Sequence, residues 1–168
     1  MIEIIPAPVA LQGGYRRFLH ALGAAGFRGE ISPRYADRTV LATDNSIYQR
    51  LPQAVVFPLD AADVETLTRL LAAPEHRQVV VSARGGGTGT NGQSLTDGIV
   101  VDLSRHLNRI LWIDPVRRVA RVQAGVVKDQ LNAALQEHGL FFAPELSTSN
   151  RATIGGMINT DALSLIHI

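Results

Sequence analysis

The sequence predicts an α/β fold of α+β character: a small parallel β-sheet with flanking helices, followed by the start of a second, mixed or antiparallel sheet. Three observations carry this expectation. Ala54-Val55-Val56-Phe57-Pro58 reads as a strand halted by proline, a helical pattern follows, and Val79-Val80-Val81 is a second apolar run. A strand–helix–strand unit of this kind crosses over right-handedly and gives a parallel pair. A third apolar run, Ile99 to Val101, lies beyond a loop crowded with glycine. Runs that are apolar without alternation and bounded by turn residues read as short buried strands. Finally, Ile110 to Ile113 and Arg118 to Gln123 flank Asp114-Pro115-Val116-Arg117, the turn chemistry of a hairpin.

Each element has its own signal. From Val9 to Phe27, Leu11, Tyr15, Phe18, Leu19 and Leu22 fall at helical spacing, with Gly26 as the C-terminal stop and Gly13-Gly14 weakening the first turn. Met1 to Pro8 reads as an extended arm. Gly29 to Pro52 reads as short helical pieces and turns, in which Asp44 or Ser46 is expected to cap a short helix. Asp60 caps a helix reaching Ala73, whose stripe is Val64, Leu67, Leu70 and Leu71. Ser104 to Asn108 suggests one helical turn. Val127, Leu131, Ala134 and Leu135 mark a helix from Val126 to His138 that Gly139 ends, and Leu140-Phe141-Phe142 reads as a further short strand. Thr153 caps a last helix beginning Ile154-Gly155-Gly156-Met157. The domain division expected from these elements is a helical arm over 1–47, the main domain over 48–161, and an anomalous tail over 162–168.

Composition narrows the function. Hydrophobic residues make up 46% of the 168 and charged residues 18%, enough for a core and too ordered a balance for a disordered chain. The net charge is +1 and the arginines are scattered, without the basic stripe of a nucleic-acid binder. Cysteine is absent, which excludes disulfides, thiolate catalysis and cysteine-ligated clusters within these residues. No apolar run approaches the ~20 residues of a membrane span, and no signal-peptide pattern is visible. A cytoplasmic location is the expectation. The five histidines show no metal-ligand spacing.

The loop Arg84-Gly85-Gly86-Gly87-Thr88-Gly89-Thr90-Asn91-Gly92 lacks the bulk to pack a core, but glycines can turn successive N–H groups into one concavity that suits a phosphate. Gly87 to Gly92 fits G-x-G-x-x-G. The dinucleotide fingerprint nevertheless requires a helix opening at the loop, and Gln93 to Gly98 is too short and turn-rich for one. A phosphate-binding NTPase loop requires a lysine, and Lys128 is the only one present. The bland alternative is a flexible loop without a ligand. A second stretch, Pro144 to Asp161, is chemically legible too: Ser147, Thr148, Ser149 and Asn150 supply hydroxyl and amide groups, and Gly155-Gly156 in a first helical turn need a reason. Close approach of a flat ligand to N–H groups at the helix start is one reason; tight packing through small residues is the other.

With both stretches in view, the strand–Arg84-Gly85-Gly86-Gly87-Thr88-Gly89–loop–strand arrangement resembles the pyrophosphate-binding loop of the FAD-binding family of vanillyl-alcohol oxidase and p-cresol methylhydroxylase. Pro144 to Asp161 resembles that family's second flavin-contacting stretch. Within the family, the sequence from about Gly26 to Asp161 is most similar to the bacterial FAD and iron–sulfur dehydrogenases of D-2-hydroxy acids, of 2-hydroxyglutarate or lactate type. The resemblance implies FAD as cofactor, held by Pro58 (beside the adenine, unless it is only a strand stop), by Arg84, Gly85, Gly86, Gly87, Thr88, Gly89, Thr90 and Asn91 at the pyrophosphate, and by Pro144, Ser147, Thr148, Ser149, Thr153, Ile154, Gly155, Gly156, Asn159 and Thr160 near the isoalloxazine and ribityl chain. Thr88 stands where many relatives carry a flavin-linked histidine, which implies non-covalent FAD. Ser46 and Tyr48 belong to a lead-in that resembles the same dehydrogenases and are alternatives for flavin or substrate contact. Glu145 is expected to hydrogen-bond structurally rather than act as a base.

Past Asp161 the resemblance stops, and Ala162 to Ile168 replaces the expected glycine turn with an apolar run, poor chemistry for an exposed terminus. The expectation is a truncated chain whose tail comes from a cloning scar or misread frame, with the family's substrate cap, catalytic and metal-ligating residues and iron–sulfur module lying outside it. The rival expectations are a non-catalytic nucleotide- or anion-binding module and an inactive fragment.

Overall fold

The computed structural model describes residues 10–161; the expected arm over 1–8 and tail over 162–168 lie outside the described residues. Its contacts fall into two compact units, one formed by the described residues of Met1–Arg84 with Gly89–Asp102, the other by those of Gly85–Thr88 with Leu103–Ile168. The boundary expected after residue 47 therefore falls inside the first unit, and the glycine loop is shared between the two.

In the first unit, helix α1 (Gly13–Ala24) buries Phe18, Leu19 and Leu22, and Gly26 at φ +86° ends it. Leu11 of the predicted stripe precedes the helix. A four-stranded sheet follows in the order β1-β2-β4-β3, with β1 Glu30–Ser32, β2 Ala54–Phe57, β3 Val81–Arg84 and β4 Ile99–Asp102. Strand β1 pairs antiparallel with β2; β2 and β3 each pair parallel with β4. Two expectations are corrected here. The strands around the crossover helix are both parallel members of the sheet, but they are not neighbours, because β4 lies between them. Ile99 and Val100 are fully buried, so β4 suits the centre, whereas β3 is partly exposed and takes the edge. The strand also starts at Val81 rather than Val79: the Val79 N–H donates to His76 O at 2.9 Å, holding it in the 3₁₀ turn Pro74–His76.

Helix α2 (Tyr35–Val40) and helix α3 (Ala61–Leu71) flank the sheet's connections. Asp60 caps α3 as expected, its side chain accepting the N–H groups of Ala62 (3.0 Å) and Asp63 (3.2 Å). Asp63 is 1% exposed, and its two oxygens accept the N–H groups of Arg28 (2.9 Å) and Leu59 (2.8 Å). A buried carboxylate with both oxygens satisfied ties the entry to β1 to the exit from β2. Residues 43–49 form no helix for Asp44 to cap; a bridge between Thr43 and Gln49 closes a loop instead. Asp44 Oδ1 accepts the Ser46 N–H at 2.8 Å, an Asx turn competing with the helix.

In the second unit, β5 (Ile110–Asp114) and β6 (Val119–Val122) form the expected hairpin. Asp114 Oδ1 accepts the N–H groups of Val116 (3.1 Å) and Arg117 (3.0 Å) in the turn. The register of the hairpin shifts between Ile110 and Trp112. Helices α4 (Lys128–Gln136) and α5 (Ile154–Thr160) pack around Val126, Leu131, Leu135, Ala152, Ile154 and Met157. The strand expected at Leu140–Phe142 is not formed. Leu140 N–H donates to Leu135 O at 3.1 Å and Phe142 N–H to Asn132 Oδ1 at 2.7 Å, so α4 takes the bonds a strand partner would need. Ser104–His106 is a non-helical turn rather than a turn of helix.

Candidate functional site

The first unit contributes the root of the glycine loop and its far half. Arg84, at the end of β3, is buried; its guanidinium donates to Ser94 Oγ at 3.5 Å, and the Ser94 hydroxyl donates to Asp44 Oδ2 at 2.9 Å. Burial pushes the Asp44 carboxyl up, but hydrogen bonds from Ser46 and Ser94 and the charge of Arg84 outweigh it and hold its pKa below the ordinary carboxylate value. Residues of the 43–49 loop thus brace the outgoing end of the glycine loop. Gly92 has φ +73°, and a Cβ there would lie 3.0 Å from the Tyr48 ring. At Gly89 an added Cβ would run into the Gln93 side chain, whose Oε1 accepts the Asn91 N–H at 3.2 Å.

The second unit contributes the loop's near half and the whole of the second stretch. Gly85 and Gly86 sit against their own protein: a Cβ at Gly85 would fall 2.1 Å from Thr153 Oγ1, and one at Gly86 would fall 2.0 Å from the Arg151 carbonyl oxygen. The sequence motifs at 85–86 and 151–153 are therefore in direct contact, which no spacing argument foretells. Gly87 has φ +63°, a conformation open to glycine at little cost. Among the described residues, the backbone N–H groups of Thr88, Gly89 and Thr90 donate to no residue. Consecutive unspent N–H donors are the chemistry a diphosphate needs.

The second stretch behaves differently. Thr148 O accepts the N–H groups of Arg151 (2.9 Å) and Ala152 (2.8 Å), making the tight turn of residues 147–151. In α5, the N–H of Ile154 donates to Val126 O (2.8 Å), that of Gly155 to Ala124 O (2.9 Å), and that of Gly156 to Thr153 Oγ1 (3.4 Å). Gly155 is explained by packing, since a Cβ would lie 2.8 Å from Ala124 Cβ. The helix start thus spends on the protein the N–H groups considered for a flat ligand, and the small-residue alternative accounts for Gly155. What this stretch offers outward is side chains: Ser147, Asn150 and Asn159 are exposed and Ser149 half-exposed, while Thr160 Oγ1 donates back to Gly156 O at 2.9 Å.

The remaining predicted residues are placed as follows. Pro58 is fully buried directly after β2, and Pro144 is half-buried. Thr153 is buried and caps α5, and the Ile154 side chain belongs to the core. Glu145 accepts a hydrogen bond from Lys128 Nζ at 3.1 Å, in keeping with the structural role expected of it. Sequence reasoning passed over Asp44 as a brace of the loop, Ser94, and Lys128. The only local signal for Asp44 was the Asp-x-Ser pattern of an Asx turn, and Ser94 had none; the signal for Lys128 was a lone lysine at the start of an apolar-striped helix. A hollow of about 1160 Å³ in the second unit is lined by apolar side chains such as Trp112, Leu140, Phe141 and Ile158, together with Arg118 and Arg121.

Comparison with known proteins bears on this geometry. A family model described as an FAD binding domain matches residues 52–165. A D-2-hydroxyglutarate dehydrogenase of Pseudomonas putida is 71% identical over 154 residues, covering 92% of this chain and 15% of that protein. The chain thus spans 15% of the length of that relative. Among solved structures, an alkyldihydroxyacetonephosphate synthase superposes with a TM-score of 0.79 at 22% identity, covering 98% of this chain and 35% of the other. A p-cresol methylhydroxylase gives a TM-score of 0.69 at 18% identity over 89% of this chain and 30% of its own. These structural likenesses bear on the fold.

Proposed function

This chain belongs to the FAD-binding domain family, and from that premise we propose that it holds the FAD of a flavoprotein dehydrogenase acting on a D-2-hydroxy acid, of the 2-hydroxyglutarate or lactate type. The observation that carries the cofactor reading is the contact of Gly85 and Gly86 with Arg151 to Thr153, which joins two separate motifs next to the unspent N–H groups of the glycine loop. Arg84 to Asn91 hold the pyrophosphate, chiefly through backbone N–H groups; the buried guanidinium of Arg84 adds positive potential from beneath rather than a direct fork onto phosphate. Pro58 lies towards the adenine. Pro144, Ser147, Thr148, Ser149 and the start of α5 (Thr153, Ile154, Gly155, Gly156) line the flavin and ribityl side, with Asn159 and Thr160 about one turn further on. For Ile154 and Gly155 this role rests on backbone and shape, since their N–H groups are already bonded. FAD binds non-covalently, because Thr88 offers no imidazole for a flavin linkage.

FAD supplies the electron acceptor for the substrate's α-carbon hydride, while this chain binds and orients the cofactor. The identity to the Pseudomonas putida dehydrogenase supports the hydroxy-acid substrate class. Catalytic residues, an electron acceptor and an iron–sulfur module belong to the whole protein rather than to these residues. A cytoplasmic location is part of the same proposal, in keeping with a chain free of cysteine.

The test uses the whole protein that carries this chain. Heat or acid should release stoichiometric FAD, and anaerobic D-2-hydroxyglutarate or D-lactate, but not the L-acids, should bleach the bound flavin. Release of no flavin overturns the cofactor reading. Competition by ADP or NAD with no preference for FAD favours the nucleotide-binding module instead. Flavin that no 2-hydroxy acid reduces overturns the substrate reading alone.

A further inference from the structure

Lys128, the only lysine of the chain, is 2% exposed, and nothing in the reading above uses it. Lysine is almost never fully buried unless paired. Its partner is Glu145, 3.1 Å from Nζ to Oε1, on a side chain that is 46% exposed. Taking the ammonium out of water is costly, and an apolar residue in such a place is often tolerated as well. The pair therefore calls for another reason, and the neighbouring bonds supply one. The first N–H groups of any helix lack intrahelical partners. In α4 those of Lys128 and Asp129 donate to Ala152 O at 3.0 Å and Ser149 O at 3.2 Å. One helical turn thus grips the irregular stretch at residues 145, 149 and 152, that is before, within and after the Ser147–Asn150 turn. The side chain of Lys128 provides the charged contact of the three, and the only one that a side-chain substitution removes.

We propose that Lys128 is a positioning residue for the cofactor: through Glu145 it fixes the Pro144–Ala152 stretch so that Ser147, Ser149 and Asn150 present their polar groups to the flavin. This inference rests on the FAD reading above, and the experiment separates the two. In the whole protein, FAD is titrated into the apo form of the unaltered protein, K128M, E145Q and K128M/E145Q, and the visible absorption band of the bound flavin is recorded. Failure of the unaltered protein to bind FAD removes the cofactor reading, and this proposal with it. If the unaltered protein binds, K128M should weaken FAD at least tenfold and change the shape of the flavin band. E145Q, which keeps an acceptor for Lys128, should weaken it less, and the double variant should lose no more than K128M alone. Unchanged affinity and band in K128M overturn the positioning role while leaving the FAD site standing. Loss of affinity with an unchanged band, or losses that simply add in the double variant, also overturn it, because either marks general destabilisation. If K128M fails to fold, E145A replaces it: an altered flavin band upholds the proposal, and an unaltered one overturns it.

Discussion

The two glycine-bearing stretches look alike in sequence and have opposite accounts of their hydrogen bonds. In the first, the N–H groups of Thr88, Gly89 and Thr90 meet no described acceptor. In the second, the N–H groups of Arg151, Ala152, Ile154, Gly155 and Gly156 are all spent within the protein. Thr88 and Gly89 are half-buried and Thr90 is exposed, so these donors stay open to water or to a ligand's acceptor. The second is self-sufficient and offers hydroxyls and amides. The difference teaches that glycine content alone does not locate a ligand. Gly86 and Gly155 are small because protein backbone and Ala124 lie where a Cβ would go.

The strongest way to break this comparison is Gly86→Ala. Its Cβ would meet backbone at 2.0 Å, and backbone cannot swing aside as a flexible side chain can. We predict a loss of about 3 kcal/mol in stability, seen as a fall in the urea midpoint, together with loss of FAD from the purified whole protein. Survival of both would mean that the contact with Arg151 is not formed. Gly87→Val is next: the positive φ costs roughly 1–2 kcal/mol, and FAD binding should vanish even where the protein remains folded. Normal flavin stoichiometry in a folded Gly87→Val protein would remove the pyrophosphate from this loop.

Thr153→Ala sharpens the contrast from the self-sufficient side. It removes the cap of α5 and should cost about 1 kcal/mol in thermal or denaturant unfolding. Because the same hydroxyl lies beside Gly85, FAD affinity should fall too, by several-fold rather than completely. The smallest effect concerns the brace of the first loop. The Asp44 pKa is held below its ordinary 3.8, so the folded state binds the proton less readily than the unfolded one. Its stabilisation is complete above the ordinary value and is lost as pH falls below about 4 through the folded pKa. The stability gap between the unaltered protein and Asp44→Asn should therefore be steady from pH 5 to 8, below about 1 kcal/mol for so solvated a group, and close in acid. A gap that widens in acid would contradict the Asp44–Ser94–Arg84 network.

Much of the local architecture was legible because its causes lie within a few residues. Asp60 before an apolar stripe, Thr153 before α5, Asp114-Pro115 in the hairpin turn and Gly26 and Gly139 after helices are each decided by a side chain or a φ angle at hand. The two glycine-bearing stretches stood out for the same reason, as local excesses of glycine and hydroxyl. The three-residue β1 was not, since so short a strand is defined by the ladder of β2 rather than by its own pattern.

What the tertiary structure alone decided are the pairings between residues far apart in the chain. Nothing local tells that β4 enters between β2 and β3, because strand order depends on which run can be buried on both faces. Nor does a loose apolar run such as Leu140–Phe142 reveal that its N–H groups go to α4 and leave none for a strand. Arg84 is buried against Ser94 and Lys128 against Glu145, pairings that no local pattern announces. Charge and hydrogen-bonding capacity are written in the residue, but the partner that uses them is chosen by the fold.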